Sequence, residues 1–389
     1  MAFLHGIKVN EPLTGAALAL TALSAVIGIV ATASDADATA FPLDKPTLIT
    51  DVNAAIGKAG NEGTLAKALG EIANHGSPIV VAVRVAPGVA AGDVTAEEAT
   101  DLNVVGSRID NAYTGLQALL AAEGQVGVRP RIIGCPGLDS EIVATAIAVV
   151  ARKLRGFAYV QCEGGNVAEA LLYRQKFASR ELMGIWPEWT GGPVGTWAGK
   201  AVAIALGLRA AIDEETGFHK SISNVPVAGV TGMSKDVAFD LQDMSTDAGL
   251  LNAGEVTTLV NMNGRRFWGN RTFSDEPQFA FEVAVRTSQA IQDTIAGALA
   301  RFVDKPMTKG LVVDIVETVN AQLRQWVGQG RLVGGSCWYD PGANQEAALA
   351  AGRLVIDYDF TPCAPLEGLE LNQRITDKYY AGFADNIAA

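Results

Sequence analysis

The chain has 389 residues, 49% of them hydrophobic and 19% charged, enough for two or three well-cored domains and too apolar for disorder as its main state. Thirty Lys and Arg against 42 Asp and Glu leave a net charge of −12, so a general phosphate-binding surface would work against the mean field and nucleic acid is not an expected partner. Cys135, Cys162, Cys337 and Cys363 form no C-x-x-C pair and have only three histidines to help them, so they read as reduced thiols of a cytosolic protein rather than zinc ligands.

Residues 6–11 alternate Ile7 and Val9 against Lys8 and Asn10, the period of a half-buried strand. The uncharged run 13–33 has the length of a membrane helix and ends like a signal peptide. Thirteen of its 21 residues, however, are Gly, Ala, Ser or Thr. A buried strand over 25–31 behind a flexible small-residue stretch is the simpler reading, with no export and no membrane insertion. Residues 44–50 are extended, Asp51 or Asn53 caps a weak helix, and Leu65, Leu69 and Ile72 carry a better one behind Thr64. Residues 79–85 are too apolar for an edge strand.

Three β-α units follow. Residues 131–135 precede a helix capped by Asp139, with Ile142, Ala146, Val149, Val150 and Leu154 inward. Residues 157–162 lead to a helix with Val167, Leu171, Leu172 and Phe177, and residues 181–186 lead to one over 197–212. The repetition predicts a parallel sheet with right-handed crossovers. Beyond Gly229 come strand-like 256–260 and 266–268, helical patterns over 279–302 and 308–327, and a strand pair at 332–339 and 353–360. The latter sets Leu354, Ile356, Tyr358 and Phe360 on one face. Pro362 and Pro365 then interrupt the pattern, and Leu369, Leu371 and Ile375 are in phase on a last strand-like run. An eight-residue tether reaches roughly 26 Å, enough to carry that run off its own domain. Strands on tethers at both ends point to sheets completed by neighbouring chains.

An open parallel sheet binds ligands beyond the carboxyl ends of its strands, where the loops carry Asp139, Glu163 and Glu188. Together they could hold a divalent cation, which makes a divalent-metal-dependent α/β hydrolase the enzymatic alternative. The structural alternative is simpler, because Asp139 already serves as a cap. Gly124 and Gly127 precede a strand instead of following one, no phosphate-loop or G-x-S-x-G pattern occurs, and Asn270-Arg271-Thr272 reads as turn sequence rather than a glycosylation site.

Several stretches carry a resemblance: 28–46 with its Ser34-Asp35-Ala36-Asp37 run, 229–232, Arg266-Phe267-Trp268-Gly269-Asn270-Arg271-Thr272, 303–306, and 356–362 with 374–377. In this order they resemble the contractile tail sheath proteins of P2-like myophages and the related R-type bacteriocin sheaths, along essentially the whole chain. Residues 188–199 depart from the pattern, which puts only outer-surface detail in question.

The resemblance implies a mixed α/β fold in five parts: an N-terminal arm (1–22), an inner α+β domain in two pieces (23–90 and 229–362), an inserted doubly wound α/β outer domain (91–228) and a C-terminal arm (363–389). It implies a structural subunit that polymerises helically with itself around a tail tube protein, meets baseplate and tail terminator proteins, and works in the virion tail after assembly in the host cytoplasm. No catalytic, metal or cofactor site is implied. Ile7 and Val9 in one arm, and Leu369, Leu371 and Ile375 in the other, would add to receiving strands marked by Leu332, Leu354, Ile356, Tyr358 and Phe360 in other copies. Lys309 and Arg324, cations on a helix of an acidic protein, are the expected tube-facing residues.

Overall fold

A strand apolar on both faces must be covered on both, and the Val- and Ile-rich runs of this chain achieve that by sharing one sheet. The computed structural model describes residues 23–380. Its main sheet contains β1 (Ile27–Thr32), β2 (Pro46–Ile49), β3 (Val80–Val85), β4 (Ile132–Gly134), β5 (Phe157–Gln161), β6 (Leu182–Ile185), β7 (Val256–Asn261) and β8 (Arg265–Trp268), in the order β8-β7-β6-β5-β4-β1-β3-β2. The six inner strands are parallel, and β2 and β8 close the edges antiparallel.

Alternate residues feed two cores. Ile27, Ile29, Val80 and Ala82 face α1 (Leu65–Ala73), where Leu65, Leu69 and Ile72 are buried as their spacing predicts, and also α5 (Lys200–Glu215). Val30, Val81 and Val83 face the opposite side, with α2 (Ala96–Val105), α3 (Glu141–Leu154) and α4 (Val167–Arg174). The sheet is therefore doubly wound. Helix α5 is buried nearly all round from Lys200 to Asp213, so the charges in that stretch need partners inside. Lys200 pairs with Glu71 of α1, both fully buried.

A smaller body follows, made of α6 (Glu282–Leu299), α7 (Lys309–Gly328) and the antiparallel ribbon β9 (Leu332–Trp338) with β10 (Asp357–Pro362). Its core joins Phe218, Ile291, Ile295, Val319, Leu323, Trp326, Leu332 and Cys337. Helix α6 belongs to both bodies. Val285 lies in the core of the sheet, whereas Ile291 and Ile295 lie in the smaller core. Its first turns are fixed by a buried network: Arg209 donates to Asp213 (2.7 Å) and Glu282 (3.2 Å), Arg286 donates to Asp213, and the Tyr159 hydroxyl donates to Glu282. Two cations and two carboxylates balance, and removing any one leaves a buried charge without its counterpart.

Several expectations need correction. β3, β4 and β7, which the expected limits at 90/91 and 228/229 assign to separate pieces, lie in one sheet. On α3 the inward stripe is Val143, Ala144, Ile147, Val150, Ala151 and Leu154. Ile142 and Val149 are 60% and 49% exposed, a second apolar stripe about 100° round the helix from the first. Leu172 likewise faces out. Asp51, not Asn53, caps the short helix Val52–Ile56. Ser140 rather than Asp139 precedes α3, because the Asp139 carboxylate instead accepts from the Gln161 amide at 2.6 Å. The last strand begins at Asp357 and runs through Pro362, the terminal ladder position, where a missing N–H costs least.

Candidate functional site

The cleft at the carboxyl ends of β4, β5 and β6 encloses about 530 Å³ and is lined by Asp139, Glu163 and Glu188, as the loop positions predict. Burial pushes the carboxyls of Asp139 and Glu188 up to about 7, the range of an acid-base catalyst. Their oxygens are already engaged by the main chain. Glu188 accepts from the amides of Trp189 (2.9 Å), Gly199 (2.8 Å) and Ala201, closing the N-terminus of α5. Gly199 is needed for this approach. Its φ is +93°, and a Cβ there would sit 2.0 Å from the Gly137 nitrogen. Among the described residues no three His, Cys, Asp or Glu side chains are grouped to hold a metal ion. Asp139 and Glu188 are braces, Glu163 is exposed beside them, and the hydrolase alternative finds no support in this geometry.

The other candidate is the ribbon. Thr308 caps α7 by accepting from the Leu311 amide at 3.2 Å, and Ile315, Val319, Leu323 and Trp326 recur at helical spacing to face β9. Leu332 is buried beneath it, and Ile356, Tyr358 and Phe360 pack partly buried on the same core. Leu354 precedes β10 and lines a groove of about 840 Å³ with Val312, Val316 and Trp338. Asn320 spans the outer edge of β9 at Cys337, donating to its carbonyl (2.8 Å) and accepting from its amide (2.9 Å). A two-stranded ribbon is marginal alone, and this one pairs with no third strand among the described residues.

Between Pro362 and residue 377 the chain forms no ladder. Leu369, Leu371 and Ile375 are 70%, 83% and 98% exposed, so the structure does not bring them to the ribbon of their own chain. Ile7 and Val9 lie outside the described residues. Lys309 is exposed in the first turn of α7 and also lines the groove. Arg324, near the other end, reaches Glu317 at 3.4 Å. The two cations are 15 residues apart, about 22 Å along the helix, and form no single patch.

The sequence matches the tail sheath protein of Escherichia phage P2 at 49% identity over 388 residues, covering 98% of both chains. The chain belongs to the phage tail sheath family. Descriptors for the phage tail sheath protein central domain (111–273), the phage tail sheath C-terminal domain (274–376) and the tail sheath protein Gp18 domain III N-terminal region (24–85) match it in turn. The major tail sheath protein of Serratia phage KSP20 is 46% identical, again over 98% of both chains. The fold matches the sheath of an extracellular contractile injection system solved in the contracted state, with a TM-score of 0.71 at 15% identity, over 97% of this sheath chain and 99% of that one. The role of this sheath protein is structural, not enzymatic. Sequence reasoning missed the buried network of the sheath subunit, because Arg209, Asp213, Glu282 and Arg286 are scattered singly, and only the i, i+4 spacings of Arg209 with Asp213 and of Glu282 with Arg286 hinted at it.

Proposed function

We propose that subunits are tied into a contractile sheath by strands lent between copies, and that the sheath shortens from a metastable extended state around the tube. The observation that carries this is the coexistence, among the described residues, of a two-stranded ribbon with no third strand and a C-terminal run whose Leu369, Leu371 and Ile375 are exposed. Leu369, Leu371 and Ile375 of one copy, and Ile7 and Val9 of another, add to the β9–β10 ribbon of a third. A five-residue ladder contributes a few kcal/mol at roughly 0.5–1.5 kcal/mol per hydrogen bond, before its apolar face is counted. Because Asn320 already holds the edge of β9 at Cys337, a strand added on that side is confined to the portion before Cys337.

Such joints survive rotation of the subunits, since the tethers move and the ladders do not break. Tube contact through Lys309 and Arg324, terminal contacts with baseplate and terminator proteins, and assembly in the host cytoplasm complete the reading. Electron microscopy of purified protein tests it. The intact chain forms hollow striated cylinders, and a chain lacking residues 1–11 stays folded but unpolymerised. Cylinders formed as readily by the shortened chain would refute the lent N-terminal strand.

A further inference from the structure

Within the 266–272 motif, Arg271 lies outside the sheet and its cores. Arg271 points at the root of the C-terminal arm, donating from Nε to Glu367 Oε1 at 2.8 Å and from Nη2 to Oε2 at 2.7 Å. Its guanidinium lies 5.3 Å from the centre of the Phe281 ring, and its backbone bridges that of Phe281, so the fork is held from behind. Next to it Asn270 and Thr272 are buried, and Thr272 donates to the Phe279 carbonyl at 2.7 Å, fixing the loop. Both partners are about one-third to two-fifths exposed, where an ordinary ion pair counts for little. A bidentate arginine–carboxylate pair with a rigid base is the geometric exception. The two residues also belong to different parts of the sheath fold, Arg271 to the central domain and Glu367 to the C-terminal domain.

We propose that the Arg271–Glu367 pair is a root clamp: it fixes the point and direction in which the C-terminal arm leaves the body, and so pre-positions Leu369 and Leu371 for a second copy. This rests on the lent-strand reading above. The ladder of the subunit ends at Pro362, and between there and the clamp the only side-chain hydrogen bond of the tether runs from Cys363 Sγ to the Gly330 carbonyl, 3.4 Å away and weak. With the clamp closed, Leu369 is two residues along the chain from its anchor at Glu367; with it open, it is seven from Pro362. Effective concentration falls as about the −3/2 power of tether length, so opening the clamp lowers the local concentration of the arm roughly sixfold. Arg271 and Glu367 are positioning residues, acting through the arm and not touching the receiving strand.

The test compares critical concentrations for polymerisation of full-length Arg271→Glu, Glu367→Gln, Arg271→Lys and the charge-exchanged pair Arg271→Glu with Glu367→Arg, alongside hydrogen exchange at 366–377 in the unassembled subunit. Either Arg271→Glu or Glu367→Gln raises the critical concentration roughly sixfold and speeds exchange, with the melting temperature unchanged. Arg271→Lys recovers only part, because a point charge cannot form the fork. The exchanged pair returns to within about twofold of the natural chain. Single variants that polymerise like the natural chain, or an exchanged pair as defective as either single one, overturn the clamp. A chain ended at Gly368 separates the two ideas: if it polymerises normally, the lent C-terminal strand and the clamp fall together. If it does not polymerise while Arg271→Glu does so normally, only the clamp falls.

Discussion

Asp139 and Glu188 show how a residue can be located from sequence and its work mistaken. Their positions after successive parallel strands put them in one cleft, which the loop rule anticipates. What they do there depends on which amides come within reach, and that is decided by how the start of α5 and the end of β5, 11 and 22 residues along the chain, pack against them. Because burial raises both carboxyls to about 7, the folded subunit holds protons between roughly pH 4 and 7 that the unfolded chain has released. The sign follows: this contribution to stability is fully present below the unfolded values and is lost as pH rises through about 7. Urea unfolding of the unassembled subunit at pH 5 and pH 8 checks it. The natural chain loses stability on the order of a few kcal/mol across that range, and Asp139→Asn, which carries no charge at either pH, loses clearly less. Equal slopes for the two would place the pH dependence elsewhere.

Among the elements, those with one apolar stripe were legible and those with two were not. Leu65, Leu69 and Ile72 leave a single choice of inward face, and α1 adopts it. Helix α3 is apolar at 142, 143, 144, 146, 147, 148, 149, 150, 151 and 154, so periodicity alone cannot choose between faces, and the sheet beneath selects 143/147/150/154. Strand ends shifted for a related reason. Leu354 and Ile356 alternate as a strand would, but the partner strand ends at Trp338, so the ladder starts only at Asp357. Helix α7 carries one functional expectation. Arg324 is exposed and only loosely paired with Glu317, leaving its charge available to an acidic surface. Arg324→Glu is expected to lower the yield of extended, tube-bound sheath without changing the melting temperature, measured by counting extended particles in micrographs of co-assembled tube and sheath. Unchanged yields would remove Arg324 from the tube contact.

At the scale of the whole molecule, a parallel sheet was legible from three successive β-α units, but its strand order was not. That β7 joins β6 and continues the sheet, pairing Val256 with Gly184 and Thr257 with Ile185, is a long-range pairing that no local pattern encodes. The same pairing places strands from separate stretches of the chain side by side in one sheet. Helix α6 and the buried Arg209–Asp213–Glu282–Arg286 network tie the sheet to the smaller body, and the lent-strand proposal accordingly assigns movement in the sheath to the tethers. Contraction on this account exchanges a smaller interface between rigid subunits for a larger one. Scanning calorimetry of extended sheath should therefore record heat released on contraction with no nucleotide present, and contraction that absorbs heat or requires ATP would contradict the metastable extended state.

The most direct test of the central claim is a cryo-EM map of the polymerised protein at a resolution that traces the backbone. It is expected to show residues 369–375 of one copy, and a segment containing Ile7 and Val9 of another, hydrogen-bonded to the β9–β10 ribbon of a third. A map in which both ends fold back on their own subunit, with no ladder passing between copies, would contradict it.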